Sequence, residues 1–430
     1  MAAHQPRHAR HAIRGLIGLA LAACLGCVAA ARAEVSFVPV PEIILDPNEG
    51  NTYGVMGVWM FLNEQSEIQY MVAPDIRYNL TKGVFPVFRF FGYPTELRRY
   101  KIALGKSTTK DEEYEAEYHD RSLLEEHAFL HASGSFAQDS TERFWGFGNH
   151  SKQSNEANYT SRNFEGWVQP GYWLVPTVYV SYLMDIRRFS TSAGQVSGVP
   201  FLTVCGPTAT GPYCNPTLPA KQEDIRNTNT FNRGRFPAHY FSHRVEFGYD
   251  TRDSIDLPSQ GALSRVYFEL ADRVLGSSTS YTKFGLDTRG YVPLRGEKKN
   301  PIIAMRGTLD YVSGPTDTPF WERSSLGGRA SLRGYGGDRF IGFNRSIGSL
   351  ELRTNVYQHR LFGVKAELEL TPFVDAGEVF KGVTTNPVND LHWDYGLGFR
   401  GIVRPQIVAF VDVGHGDEGL KVFTGIDYPF

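Results

Sequence analysis

From Glu34 onward, apolar and polar residues alternate. In Val364–Ala376, one parity holds Val364, Ala366, Leu368, Leu370, Val374 and Ala376, and the other holds Lys365, Glu367, Glu369, Thr371 and Asp375. In His239–Asp250, Phe241, Val245, Phe247 and Tyr249 oppose Ser242, Arg244, Glu246 and Asp250. Ala262–Arg273 and Leu391–Val403 repeat the pattern, and in the last segment Leu420, Val422, Thr424, Ile426, Tyr428 and Phe430 share a face. A period of two marks strands with unlike faces. Strands are expected near 52–62, 67–78, 84–92, 97–107, 123–136, 158–174, 177–190, 239–251, 261–275, 280–294, 300–313, 346–358, 364–379, 391–403, 405–416 and 420–430, about sixteen in all. The acidic stretch Asp111–Asp120 reads as a long strand or as an outer loop, and its carboxylates as solvated rather than as a cation site.

A soluble sandwich also alternates, with one dry and one wet face per strand. Two features point instead to an antiparallel transmembrane β-barrel. Many strands approach ten residues, the length that a tilted membrane crossing needs. The polar parity carries charges of both signs, strand after strand, as the wall of a watery bore would. Such a sheet must close, because an open edge in hydrocarbon leaves N–H and C=O groups unpaired. The connections alternate in length: 253–261, 294–300 and 361–364 are short, whereas about 191–238 and 313–345 are long and fall on one side, read as outer loops.

The N-terminus reads as a secretion signal. Arg7, Arg10 and Arg14 precede an apolar stretch over Gly15–Ala30, and Ala31-Arg32-Ala33 supplies a small-residue cleavage site before Glu34. Leu21-Ala22-Ala23-Cys24 offers a competing lipoprotein site, less favoured because the apolar run continues past it. The expected organisation is a signal peptide at 1–33, a short periplasmic segment at 34–50 and a barrel at 51–430. Of the four cysteines, Cys205 and Cys214 lie beyond the signal in a Gly/Pro-rich stretch, where an oxidising compartment would allow a local disulfide. A net charge of −2 gives no basic surface for nucleic acid. The 13% aromatic content and the 44 Gly and 24 Pro fit girdle residues and many turns.

The segment Leu332-Arg333-Gly334-Tyr335 resembles the [Val/Ile/Leu]-Arg-Gly-[Phe/Tyr] motif of the BamA/TamA superfamily, the bacterial surface antigen family of outer-membrane barrels. Phe373-Val374-Asp375-Ala376-Gly377 resembles that family's Phe-x-Asp-x-Gly strand. Tyr249-Asp250-Thr251-Arg252-Asp253 with Pro258-Ser259-Gln260-Gly261 is similar to its mid-barrel strand and turn, and Phe144-Trp145-Gly146-Phe147-Gly148-Asn149 to an outer loop. Tyr428 and Phe430 match the aromatic C-terminal signal that barrel-assembly machinery reads. The likeness is firm over 239–430 and weaker over 36–190. It implies sixteen strands, with the Arg333 loop between strands eleven and twelve folded back into the lumen and Arg333 paired with Asp375 on the wall. Residue parity independently turns Asp375 and Glu351 inward. Phe410-Val411-Asp412-Val413-Gly414 repeats the strand motif, so Asp412 is a rival partner. The family's assembly and secretion members carry POTRA domains before the barrel; here about 17 residues follow Glu34 before the first expected strand, so the chain reads as a barrel-only member and client capture is in question.

No Gly-x-Ser-x-Gly, His-Glu-x-x-His or phosphate-binding glycine loop is present, and the mature chain lacks Cys-x-x-Cys. No enzymatic activity, cofactor or metal is expected. The histidines His119, His127, His131 and His150 read as solvated, and His239 and His243 as interfacial. The resemblance implies protein insertion into, or translocation across, the outer membrane of a Gram-negative cell. Implied partners are outer-membrane lipids and lipopolysaccharide, barrel-assembly machinery during biogenesis, and a client or a separate periplasmic partner. A passive or gated pore and a surface adhesin or scaffold are the rival readings.

Overall fold

A computed structural model describes residues 34–64, 68–199, 238–295, 300–315, 318, 320–361, 364–382, 386–403 and 407–426. The expected signal at 1–33, Cys205 and Cys214, and Tyr428 and Phe430 lie outside the described residues.

Nearly every regular element is a strand: β1 (Glu34–Asp46), β2 (Gly50–Leu62), β3 (Ile68–Val72), β4 (Asp75–Asn79), β5 (Gly83–Thr95), β6 (Arg98–Lys106), β7 (Glu112–Leu123), β8 (Ala128–Phe144), β9 (Ala157–Val175), β10 (Val178–Ala193), β11 (Ala238–Asp250), β12 (Gly261–Ala271), β13 (Tyr281–Pro293), β14 (Ile302–Ser313), β15 (Ser324–Leu326), β16 (Phe340–Gly342), β17 (Asn344–Leu361), β18 (Val364–Phe380), β19 (His392–Val403), β20 (Ile407–Gly416) and β21 (Gly419–Ile426). All but β15 and β16 belong to one antiparallel 19-stranded sheet in which each strand pairs with its sequence neighbours. β3 and β4 are halves of one traverse, interrupted at Ala73-Pro74, and both lie between β2 and β5. Counted as traverses among the described residues, the sheet crosses eighteen times. Its two ends, β1 and β21, meet and close it.

The expected count of about sixteen is therefore two short, and the inward loop, 314–343, follows the thirteenth traverse rather than the eleventh. The first addition is β1, which occupies the stretch expected to be a periplasmic segment. Pro39 and Pro41 hide it, because proline weighs against a strand except at an edge, and β1 is an edge. The second is β7, the acidic stretch left open between strand and outer loop and not counted among the sixteen. Its acids alternate: Ile102 and Leu104 face out opposite Ala116 and Tyr114, while Glu115 turns in and meets Lys101 Nζ at 2.5 Å.

The two faces are inverted relative to a soluble protein. Val245, Phe247, Tyr249, Val266, Phe268, Leu368, Val374, Trp393, Tyr395 and Leu420 are exposed on the outside. Glu367, Glu369, Asp375, Asp394, Arg400 and Asp412 are buried on the inside. Exposed apolar surface of this extent is stable only against lipid. An even number of traverses brings β1's start and β21's end to one rim. The strand ends at Phe144, Ala193, Ser313 and Phe380 all lie at the other, here called the long-loop rim.

Candidate functional site

The connection between β14 and β17 turns inward and docks on the inner wall. It carries a short helical turn at Phe320–Glu322, the small β15–β16 pair, and a tight turn over 327–335. Gly327 and Gly328 adopt φ of 109° and 87°, which only glycine enters freely. Tyr335 N–H donates to Leu332 O at 3.2 Å and Gly328 N–H to Tyr335 O at 3.0 Å, so Arg333 and Gly334 sit at the apex. Leu332 anchors the turn in an apolar cluster with Leu326, Tyr335, Phe340, Ile347 and Val379.

Arg333 is 1% exposed. Its Nε donates to Asp375 Oδ2 at 2.8 Å and its Nη2 to Asp375 Oδ1 at 2.9 Å, a two-pronged bond that matches the planar guanidinium to a carboxylate. Nη1 donates to Glu351 Oε1 at 2.5 Å. The Phe373 ring lies under the guanidinium, 3.5 Å from Cζ to the ring centroid. Asp412 approaches Nη1 at 3.7 Å but is engaged by Arg400 through both oxygens. The rival partners thus form one network, with Asp375 in the direct role. Glu351 accepts from Arg353 Nε at 2.8 Å and lies 3.8 Å from Arg400 Nη2. Every charge here is almost fully buried, so each needs an opposite partner to offset its lost hydration.

Two glycines admit the loop to the wall. A Cβ on Gly334 would lie 2.5 Å from Asp394 Cβ and 2.6 Å from Gly416 N, and one on Gly377 would lie 2.8 Å from Ser346 O and against Leu326. Gly334 therefore serves close approach rather than unusual backbone conformation. Tyr335 packs edge-on to Phe340 at 5.3 Å, and its hydroxyl accepts from Asp417 N at 3.3 Å.

An Omp85 superfamily domain matches residues 98–402. The chain belongs to the Omp85 superfamily. Its fold is similar to BamA from Haemophilus ducreyi lacking POTRA domains 1-3, with a TM-score of 0.54 and 13% identity over 91% of this chain and 75% of that one. It is similarly close to CdiB from Escherichia coli, with a TM-score of 0.54 and 10% identity over 90% and 67% of the two chains. At these identities the likeness is one of fold, and it agrees with the large antiparallel sheet.

Sequence reasoning left several participants of this Omp85 barrel without a role. Arg353 and Arg400 complete the charge network; both share the inward parity of their strands, the signal that could have found them. Arg339 is 3% exposed and donates to Glu418 Oε1 at 2.7 Å. Asn149, at the end of the aromatic-glycine segment, ties the 145–156 loop to the wall: its Oδ1 accepts from Val379 N at 2.9 Å and its Nδ2 donates to Asp390 O at 2.5 Å. Gly148 N–H donates to Ile341 O at 2.7 Å, joining that loop to the inward one. Among the described residues, no cluster of His, Cys, Asp and Glu is arranged to hold a metal ion.

Proposed function

We propose that this Omp85 barrel resides in the outer membrane and moves polypeptide into or across it without covalent chemistry, by opening the seam between β1 and β21. The observation that carries this reading is the contrast at the seam. Elsewhere neighbouring strands are joined by backbone ladders, some with a bulge. Between β1 and residues 419–426 of β21, no ladder is formed among the described residues, and the strands are joined by Thr424, whose hydroxyl accepts from Leu45 N–H at 3.1 Å and donates to Ile43 O at 2.8 Å. These bonds place the backbone groups of residues 43 and 45 on β1's outer edge. By the two-residue period Pro39 and Pro41 have the same orientation, and neither has an N–H to offer there. An edge built this way separates at lower cost than a complete ladder and exposes pairing groups to an incoming strand.

The inward loop supports the same reading, since Arg333 and its partners hold a plug within the bore. A gated pore is the second reading, favoured by the charged inner wall. Reconstitution separates the two. The purified chain in liposomes should increase the yield of a folded, protease-protected client barrel, and a disulfide across the seam should abolish that gain. A steady conductance in planar bilayers that survives seam cross-linking, with no client inserted, would favour the pore. The partners follow as part of this proposal: anionic lipopolysaccharide and lipid around the barrel, and a client or separate periplasmic protein at the short-turn rim.

A further inference from the structure

We infer that residues 335–339 of the inward loop form a strap that holds the β1–β21 seam shut at the long-loop rim, and that its release, rather than that of the Arg333 anchor, permits opening. This rests on the seam-opening reading above. The seam has two shoulders at that rim: the β1–β2 turn, residues 47–49, and the β20–β21 turn, residues 417–418. The strap grips both.

On the first shoulder, Asn48 Nδ2 donates to Gly337 O at 2.9 Å. The turn is set for this, since Asp46 Oδ1 accepts from the N–H groups of Asn48 at 2.7 Å and Glu49 at 3.0 Å. The strap side is set as well: a Cβ on Gly336 would lie 2.6 Å from Asn48 Oδ1. On the second shoulder, Arg339 Nε donates to Glu418 Oε1 at 2.7 Å, and Tyr335 Oη accepts from Asp417 N at 3.3 Å. Arg339 is itself fixed by Ser151, whose Oγ and carbonyl accept at 2.8 and 2.7 Å, and by Phe340, 4.6 Å from its guanidinium. Five consecutive residues thus bridge two turns whose strands, among the described residues, are joined through the Thr424 hydroxyl. Separating the shoulders requires breaking either the Asn48 contact or both the Arg339–Glu418 ion pair and the Tyr335–Asp417 bond, while Arg333, on the wall at β17 and β18, can stay in place.

The test uses the full chain in lipid, with nitroxide labels at Ile76→Cys and Val411→Cys, outward positions on β4 and β20 that flank the seam, in a background with Cys205→Ser and Cys214→Ser. With the strap intact, one short label separation is expected. Asn48→Ala combined with Glu418→Gln should add a second population, longer by at least one strand spacing of about 5 Å, while the barrel keeps its heat-resistant gel mobility. An unchanged distribution in that folded double variant overturns the proposal. Should the variant lose heat resistance, an Asn48→Cys, Gly337→Cys disulfide in otherwise unlabelled protein decides: oxidation should suppress current flicker and reduction restore it, and flicker indifferent to oxidation overturns the strap. Label separations that widen without client insertion would leave the strap standing and sink the insertion reading.

Discussion

The inner wall at β17–β20 and the seam at β1–β21 are built from the same kind of strand but held by opposite means. At the wall, long backbone ladders are overlaid by a buried network in which Arg333, Arg353 and Arg400 meet Glu351, Asp375 and Asp412. At the seam, prolines remove donors from one edge and, among the described residues, Thr424 bridges from the other. The difference teaches where this barrel keeps its shape. Strength is concentrated where the loop docks, and the closure is left with local, reversible contacts that few groups control.

The largest effect should come from removing the anchor. Arg333→Ala would leave Asp375 buried without its two-pronged partner while Glu351 keeps Arg353, a loss of about 3–5 kcal/mol, seen as loss of heat-resistant mobility on semi-native gels. Arg333→Lys should recover little, because an ammonium cannot reproduce the two-pronged geometry. Reversal, Arg333→Asp with Asp375→Arg, should also fail, because Arg333 lies against Glu351 and Asp412 as well as Asp375. Full rescue by reversal would mean that the network acts as an isolated pair.

Next in size, Gly334→Ala should push the loop off the wall, since the added methyl meets Asp394 Cβ and the Gly416 backbone. A cost of about 1–3 kcal/mol is expected for such overpacking, read as new protease cutting within 314–343 in a barrel that still folds. Uncut loops at wild-type stability would show that β20 yields.

The seam side predicts smaller changes of opposite sign. Pro39→Val with Pro41→Val supplies two N–H donors to β1's outer edge, and each bond made is worth about 1 kcal/mol. Flicker in planar bilayers should fall, and Thr424→Val should raise it. Equal behaviour of all three proteins would remove the contrast between seam and wall.

The smallest expected effect is on pH. Burial pushes the Glu322 carboxyl, in the loop's helical turn, from its ordinary 4.5 up to about 7, against the opposing pull of Arg187. With the folded value above the unfolded one, Glu322 contributes stability that is full below about 4.5 and is lost as pH rises through about 7. Protease sensitivity of the loop should therefore increase between these values, and Glu322→Gln should flatten the change. A flat profile in the unmutated chain would show that Arg187 outweighs burial.

Much of the fold was legible because a barrel wall has only two environments, and residue parity reports which one a side chain meets. That is why Asp375 and Glu351 could be turned inward on sequence pattern. The two strands left out of the count had mixed signals: Pro39 and Pro41 in β1 argued against pairing, and the run of acids in β7 looked solvated until Lys101 was found opposite. The candidate site was legible at Arg333 through its motif. Arg339 and Asn48 carried no such sign, because nothing local in either sequence tells that a residue in one turn will meet a residue 289 positions away.

What the sequence determined by itself was strand identity, facing and the need for closure, since these follow from a two-residue period and from the cost of unpaired backbone in hydrocarbon. Only the tertiary structure decided which carboxylate Arg333 takes, how weakly β1 meets β21, and which loop spans that join. Those outcomes depend on how eighteen traverses curl and stagger, which sets the distance between turns that sequence order keeps far apart.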